Sequence, residues 1–152
     1  MNPAAKWHAL QKTRQHRSRG IDWALYRQQR DVMVARFSYL FMPSGAPAKL
    51  PLAIGIHAQL LDCDTGLSAS ALEHFLRAYT FGPKYLSAVR TGAQRFGANG
   101  EWAGVVTAGE GAFAKQQYHA HMAIRTKTRE KRASATQTAA TQTAATQILE
   151  AA

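Results

Sequence analysis

The spacing of apolar residues predicts a series of short helices from residue 22 to about residue 125. Asp22 is a suitable N-cap for a first helix, which is expected over roughly residues 22–39. Its apolar positions fall near one stripe of the helix surface: Leu25, Val32, Met33, Phe37 and Leu40. Three prolines and a glycine within residues 42–51 then predict a loop.

The apolar segment 52–61 fits either a buried strand or a helix, because periodicity alone does not separate the two in so short a run. Ile56 and Leu60 are four residues apart, and a loop of sequence Asp-Cys-Asp follows. Both features favour a helix.

A capping box, Ser70-x-x-Glu73, is expected to open the next helix. The apolar stripe of this helix recurs at spacings of three, four and seven residues: Leu72, Phe75, Leu76 and Tyr79. Gly82-Pro83 should end it and start another helix, because proline suits the first helical position.

Two further signals follow in the second half of the chain. Asn99-Gly100, between short segments that carry aromatic residues, predicts a hairpin with a two-residue loop. Thr107-x-x-Glu110 is a second capping box, and its helix should turn Phe113, Ala120 and Ile124 inward. The predicted fold class is therefore mainly α with one small β-hairpin, an α+β arrangement.

The net charge of +10 is unevenly distributed. Residues 21–114 are nearly neutral, whereas residues 1–20 and 115–132 are strongly basic. Such flanks attract polyanions. We predict a basic disordered arm over 1–20, a domain with a basic C-terminal helix over 21–132, and a low-complexity Thr/Gln/Ala tail over 133–152. The cations expected to assist binding are Lys12, Arg14, Arg17, Arg19, Arg125, Lys127, Arg129, Lys131 and Arg132.

Several classes of protein are disfavoured. A single cysteine, Cys63, permits no internal disulfide and indicates a reducing compartment. No apolar run is long enough to span a membrane, and no secretory signal is recognisable. His119-x-His121 places its rings on different helix faces, and Gly97–Gly100 lacks the lysine of a phosphate-binding loop. We therefore expect no catalysis, no metal, no cofactor and no small-molecule substrate.

An ordered set of short motifs resembles the ProQ/FinO domain over residues 50–117. It runs from Pro51-Leu-x-Ile-Gly-Ile through Leu72-x-x-x-Leu-Arg-x-Tyr-Thr, Lys84-Tyr-Leu-x-x-Val and Gly92-Ala-x-Arg to Asn99-Gly-x-x-x-Gly. The order and spacings agree throughout, and residues 32–41 are similar to that domain's first helix. The resemblance extends to roughly residues 22–125, with basic flexible extensions at both ends.

The resemblance implies an RNA chaperone of the bacterial cytoplasm. Its partners would be structured RNA, in the form of a terminator hairpin with a 3′ single strand, and a second RNA during pairing in small or antisense RNA regulation. The matching positions for RNA contact are Arg77, Lys84, Tyr85 and Arg95, and the helix start that receives the 3′ end lies at Gly82 and Pro83. Many relatives carry lysine where this chain has Ala53 and arginine where it has Glu73, and they often carry hydroxyl residues where it has Phe81-Gly82-Pro83.

Two other classes of function are compatible with the residues. A less selective nucleic-acid binder, DNA included, would depend on the two basic flanks alone. A membrane- or protein-docking module is suggested by Trp7 and Trp23 beside basic residues, but residues 1–20 lack a broad apolar helix face.

Overall fold

The computed structural model describes residues 20–151, so the predicted basic arm, with Lys12, Arg14, Arg17 and Arg19, lies outside the described residues. The elements follow in the order α1 (Trp23–Arg36), α2 (Ile56–Leu61), α3 (Ala69–Phe81), α4 (Pro83–Ala88), β1 (Gln94–Phe96), β2 (Trp102–Val105) and α5 (Ala108–Glu150). The two strands form an antiparallel hairpin. The predicted mainly helical fold with one small hairpin is confirmed.

Helix α1 begins as predicted, because the Asp22 carboxylate accepts hydrogen bonds from the amides of Ala24 and Leu25 at 2.9 and 3.0 Å. It ends at Arg36 rather than near residue 39. Met33, Phe37 and Leu40 are buried, but Leu25 and Val32 are exposed, so the predicted stripe was too wide. Successive helical residues are about 100° apart, which turns Val32 away from the core that Met33 enters.

The cap of α3 is Ser68 rather than Ser70. The Ser68 hydroxyl accepts a hydrogen bond from the amide of Ala71 at 3.2 Å, and Ser70 lies inside the first turn. Glu73 is therefore too far into the helix to complete a capping box. The break at Gly82-Pro83 is confirmed, since α3 ends at Phe81 and α4 begins at Pro83.

The apolar segment 52–61, whose sequence fitted either a strand or a helix, contains a short piece of each. Leu52 forms an isolated parallel bridge with Phe96, in which the Ala53 amide donates to the Phe96 carbonyl oxygen at 2.8 Å. Only Ile56–Leu61 is helical. The short strand-like part brings the chain beside the hairpin, and α2 packs against α3.

The hairpin has a three-residue loop rather than the predicted two-residue loop. The Gly97 amide donates to the Glu101 carbonyl oxygen, and the Gly100 amide donates to the Gly97 carbonyl oxygen, both at 2.9 Å. Gly100 has a φ of 79°, whereas Asn99 does not adopt a positive φ as a two-residue loop of type I′ requires. A Cβ on Gly100 would also come within 2.7 Å of the Tyr39 ring.

The core is built on edge-to-face aromatic contacts between the 37–41 segment and α3. The Phe41 ring lies 5.1 Å from the rings of Phe75 and Tyr79, at angles of 80° and 88°. The Tyr79 hydroxyl accepts a hydrogen bond from the Met42 amide at 3.1 Å. Burial raises the pKa of Tyr79 to about 12. These contacts attach the proline-rich loop to the C-terminal half of α3.

Helix α5 begins with the predicted capping box. The Thr107 amide donates to the Glu110 carboxylate at 2.8 Å, and the Glu110 amide donates to the Thr107 hydroxyl at 3.3 Å. The prediction that Phe113 faces inward was wrong: it is 47% exposed, while Ala114, Gln117 and Ala120 are buried. The prediction for Ala120 is confirmed, and Ile124 is half-buried.

The low-complexity tail continues α5 as helix to Glu150, a length that its repeat did not predict. Every residue from Arg125 to Ala151 is exposed. Threonine hydroxyls donate to the carbonyl oxygen four residues earlier, as Thr136 does to Arg132 and Thr141 to Gln137 at 3.0 Å. Alanine has the highest helix propensity and favours this helix, whereas the threonine bonds only satisfy the side-chain hydroxyls.

Candidate functional site

A cleft of about 340 Å³ brings together three of the residues that the sequence singled out. We call it the arginine cleft, and its lining residues are Leu52, Ala53, Ile56, His57, Glu73, Leu76, Arg77, Thr80, Tyr85 and Arg95. Helix α3 supplies one wall through Glu73 and Arg77, and Tyr85 and Arg95 enter from α4 and β1. Positions separated by eighteen residues along the chain thus meet in one depression.

Arg95 is fixed by contacts on several sides and is only 8% exposed. Its Nη1 donates to the Leu52 carbonyl oxygen at 2.8 Å, and its Nη2 lies 3.1 Å from the Glu110 carboxylate. The same carboxylate caps α5, so one glutamate orients the arginine and begins the helix. The backbone bond from Thr107, followed by the bond from Arg95, lowers the pKa of Glu110.

Tyr85 is buried, with its ring edge-on to Tyr79 at 6.1 Å. Its hydroxyl oxygen accepts a hydrogen bond from the Leu52 amide at 3.1 Å. Burial raises the pKa of Tyr85, and the Leu52 bond and the Arg95 charge oppose that increase. The phenol is therefore neutral, and the protein covers most of its surface.

Arg77 differs from Arg95 because it is exposed and loosely held. Its Nη2 donates to the Gly20 carbonyl oxygen at 3.4 Å, a long hydrogen bond. Among residues 20–151, no carboxylate lies within ion-pair distance of its guanidinium. Its charge is available to a ligand, with Glu73 one helical turn earlier as the acidic residue of the same wall.

The other three predicted residues do not line the arginine cleft. Lys84 is exposed, and its Nζ donates to the Ala46 carbonyl oxygen at 2.7 Å. Gly82 separates α3 from α4, and its carbonyl oxygen accepts hydrogen bonds from the amides of Tyr85 and Leu86. Pro83 occupies the first turn of α4. Of the auxiliary cations, five are exposed on α5: Arg125, Lys127, Arg129, Lys131 and Arg132.

Sequence reasoning missed the contribution of Glu110. The capping box identified Glu110 as a helix start, but nothing local showed that its carboxylate also reaches Arg95. Thr80, another lining residue, uses its hydroxyl to donate to the Leu76 carbonyl oxygen at 2.9 Å. His57 is half-buried between apolar neighbours, and its Nε2 has no hydrogen-bond partner within the described part of the chain.

Two larger clefts lie elsewhere, so size does not select the site. One of about 600 Å³, which we call the hairpin cleft, is lined by Phe37, Tyr39, Gln59, Asp62, Cys63, Gly97, Ala98, Asn99, Glu101, Trp102 and Ala103. The other, of about 650 Å³, lies between α4 and the start of α5. Within residues 20–151, no three His, Cys, Asp or Glu side chains are placed to hold a metal ion, and no helix is long and apolar enough to cross a membrane.

Comparison with known proteins decides the family. The sequence model of the ProQ/FINO family matches residues 30–145, which include the whole arginine cleft. The chain belongs to the ProQ/FinO family. The resemblance carried by its short motifs is thereby confirmed, and the match also covers most of the long α5 helix of this ProQ/FinO protein.

Solved structures of the family share this fold. A ProQ homolog from Legionella pneumophila, solved by NMR, is 28% identical, with a TM-score of 0.52 over 61% of this chain and 80% of that one. A FinO-like RNA chaperone from Neisseria meningitidis is 24% identical, with a TM-score of 0.51 over 78% and 98%. A search of curated proteins finds no match.

Proposed function

We propose that this ProQ/FinO protein is an RNA chaperone whose arginine cleft binds the 3′ end of structured bacterial transcripts, namely a terminator hairpin with its uridine tail. It would act in post-transcriptional regulation by small or antisense RNA. The observation that carries the proposal is the convergence of Arg77, Tyr85 and Arg95 in one cleft. The similar Neisseria protein is itself a FinO-like RNA chaperone.

The chemistry of the cleft suits an RNA end. The free guanidinium of Arg77 offers paired N–H groups to a phosphate. Arg95 and the Tyr85 hydroxyl are held in fixed positions, and the bonds from Arg95 to Leu52 and Glu110 leave other N–H groups of its guanidinium for a ligand. A ribose or terminal hydroxyl can both donate and accept there. Recognition of backbone and sugar is expected because base edges are hidden in A-form grooves.

The positive potential of the arginine cleft is reduced at two positions where this chain lacks a cation that many relatives carry. Glu73 and Ala53, the positions where many relatives are basic, both line the arginine cleft. The exposed cations of α5 would offset this loss, since phosphate contacts add affinity that depends on salt and not on sequence. The cleft would then determine which RNA end is bound, and the basic flanks would increase affinity.

A binding titration tests the proposal. One terminator hairpin would be compared in three forms at fixed salt: with a uridine tail and free 3′-hydroxyl, with a 3′-phosphate, and with the tail removed. We expect tightest binding to the first form, by about 10-fold, the free energy of one or two polar contacts. Equal binding to all three would contradict 3′-end recognition.

The alternative is a less selective nucleic-acid binder, which the exposed basic segment of α5 supports. Glutamine substitutions at Arg125, Lys127, Arg129, Lys131 and Arg132 distinguish the two functions. If the cleft selects the RNA, these changes lower affinity for all three RNA forms alike and keep their order. If the two flanks alone bind, these changes lower affinity steeply, while Arg77→Ala has no effect.

A further inference from the structure

A second group of cations lies outside the arginine cleft, around the C-terminal end of α3. It consists of Arg30 on α1, Lys49 in the proline-rich loop and Lys84 on α4. Lys49 was not singled out by the sequence. Its Nζ donates to the Tyr79 carbonyl oxygen at 3.0 Å and lies 3.8 Å above the centre of the Tyr79 ring. Both contacts hold the ammonium group half-buried against the aromatic core.

The neighbours of Lys49 are also cations. Burial is the largest cause that lowers the pKa of Lys49, and the positive charges of Lys84 and Arg30 lower it further. The result is a pKa of about 8 for Lys49. Within residues 20–151, no carboxylate forms an ion pair with Lys49, and Asp31, whose side chain is 74% exposed, pairs with Arg30 at 3.1 Å. Positive charge is therefore concentrated here without a carboxylate that compensates Lys49.

Each cation keeps donors that the fold does not use. Lys84 donates one hydrogen bond to the Ala46 carbonyl oxygen, and Arg30 donates to the Asp31 carboxylate through Nε and Nη2. An ammonium has three N–H groups and a guanidinium five, so each retains at least one. Charges of one sign with spare donors, of which Lys49 and Arg30 are partly buried, favour an anion with several oxygens. Phosphate meets that requirement.

We propose that Lys49, Lys84 and Arg30 form a phosphate-binding site, separate from the arginine cleft, that takes a backbone phosphate of the bound RNA. This assignment rests on the proposed function for its ligand. A phosphate here would hold the RNA at a point other than its 3′ end. Phosphate binding stabilises the charged form of Lys49, so RNA affinity should fall as that group loses its proton.

The first experiment measures affinity for the tailed hairpin at pH 7 and pH 9, at fixed ionic strength, by fluorescence anisotropy. A group with a pKa of about 8 is mostly charged at the lower pH and mostly neutral at the higher one. We expect wild-type affinity to fall about 5-fold across this range by proton linkage. Lys49→Arg stays charged at both pH values, so it should bind about as tightly as wild type at pH 7 and lose most of the pH dependence of affinity.

Two further variants complete the design. Lys49→Met should bind weakly at both pH values, with the pH dependence removed. Arg27→Met, which removes an exposed cation of α1 that lines none of the clefts, should keep the wild-type fall in affinity between pH 7 and pH 9. The Lys49→Arg titration also corrects for ionisation of the RNA itself. If Lys49→Met and Lys49→Arg retain the wild-type pH dependence while remaining folded by circular dichroism, the site is wrong.

A second measurement needs neither a variant nor RNA. The titration midpoint of the Lys49 ammonium, followed by NMR with and without inorganic phosphate, should rise when phosphate is present. A midpoint that stays the same with phosphate would overturn the site, even if RNA binds elsewhere. If the midpoint rises with phosphate but the protein binds no RNA, the anion site stands and the proposed function is rejected. The failure of the site and the failure of the proposed function are therefore distinguishable.

Discussion

The arginine cleft, where we propose that RNA binds, and the hairpin cleft differ in charge as well as in volume. The hairpin cleft is nearly twice as large and includes Trp102, which is 65% exposed and suited to stacking. Its charged lining residues, however, are Asp62 and Glu101. The arginine cleft is smaller, but two arginines face one glutamate there. A polyanion is repelled from the first and attracted to the second.

The two clefts also differ in how their side chains are fixed. In the arginine cleft, Arg95 is held by Leu52 and Glu110, so its donors are in place before a ligand arrives. In the hairpin cleft, the Tyr39 hydroxyl donates to the Ala98 carbonyl oxygen at 2.7 Å and stabilises the loop instead. Preorganised donors are expected to bind more tightly, because less conformational freedom is lost.

The largest effect is expected for Arg95→Ala. It removes the bonds to Leu52 and Glu110 from a buried position, which should lower the free energy of unfolding by about 2 kcal/mol. Affinity for the tailed hairpin should fall by more than about 10-fold. Urea denaturation and anisotropy measure the two effects separately. Full stability with full affinity would show that Arg95 neither supports nor lines a functional cleft.

Arg77→Ala should lower RNA affinity by about 10-fold, the loss of one charge-assisted contact. Its side chain is exposed and weakly held, so the free energy of unfolding should be unchanged. Arg27→Ala is the matched control, since it removes an exposed arginine from α1 outside both clefts. Equal loss in both variants would mean that only total charge matters.

Acidification should weaken the arrangement around Arg95. The folded state holds the pKa of Glu110 below its usual 4.5, through the Thr107 bond first and Arg95 next. Its contribution is therefore present above pH 4.5 and is lost as the pH falls through the lowered value. The free energy of unfolding, measured between pH 7 and pH 3, should decline less steeply in Glu110→Gln than in wild type. A slope identical to wild type would contradict the role of the pair.

Glu73→Gln should raise RNA affinity by about 3-fold, because it removes an exposed negative charge from the arginine cleft. Glu101→Gln makes the same chemical change in the hairpin cleft and should alter affinity less. A larger gain from Glu101→Gln would indicate that RNA passes over the hairpin side.

The smallest effect is expected for Trp102→Ala. The ring is exposed and lies in a cleft that we do not expect to bind RNA, so affinity for the tailed hairpin should stay within about 2-fold of wild type. A loss comparable to that of Arg77→Ala, in a folded protein, would assign stacking to the hairpin cleft.

Local signals predicted much of the fold. Asp22, Pro83 and the Thr107–Glu110 pair each act within one helical turn, so sequence spacing was sufficient to place three helix starts. Where two local signals competed, prediction failed: Ser68 caps α3 although Ser70 had the capping-box spacing. The three-residue hairpin loop likewise follows from backbone torsions that the Asn-Gly pair does not determine.

The candidate site was predictable only in part, because its contacts join distant positions. The resemblance to the family named Arg77, Tyr85 and Arg95, and the fold brings them together. It did not show that Arg95 pairs with Glu110 or that Tyr85 receives the Leu52 amide. Nor did any local pattern identify Lys49, whose environment is created by Tyr79 and Lys84 from other elements.

The most direct test of the central claim maps the RNA on the protein surface. Backbone amide shifts would be recorded by NMR as a terminator hairpin with a uridine tail is added to the full chain. We predict changes centred on Ala53, Arg77 and Arg95, with the amides of Asp62 and Trp102 nearly unmoved. Changes confined to the hairpin cleft, or to residues 125–132 of α5, would contradict the arginine cleft as the RNA site.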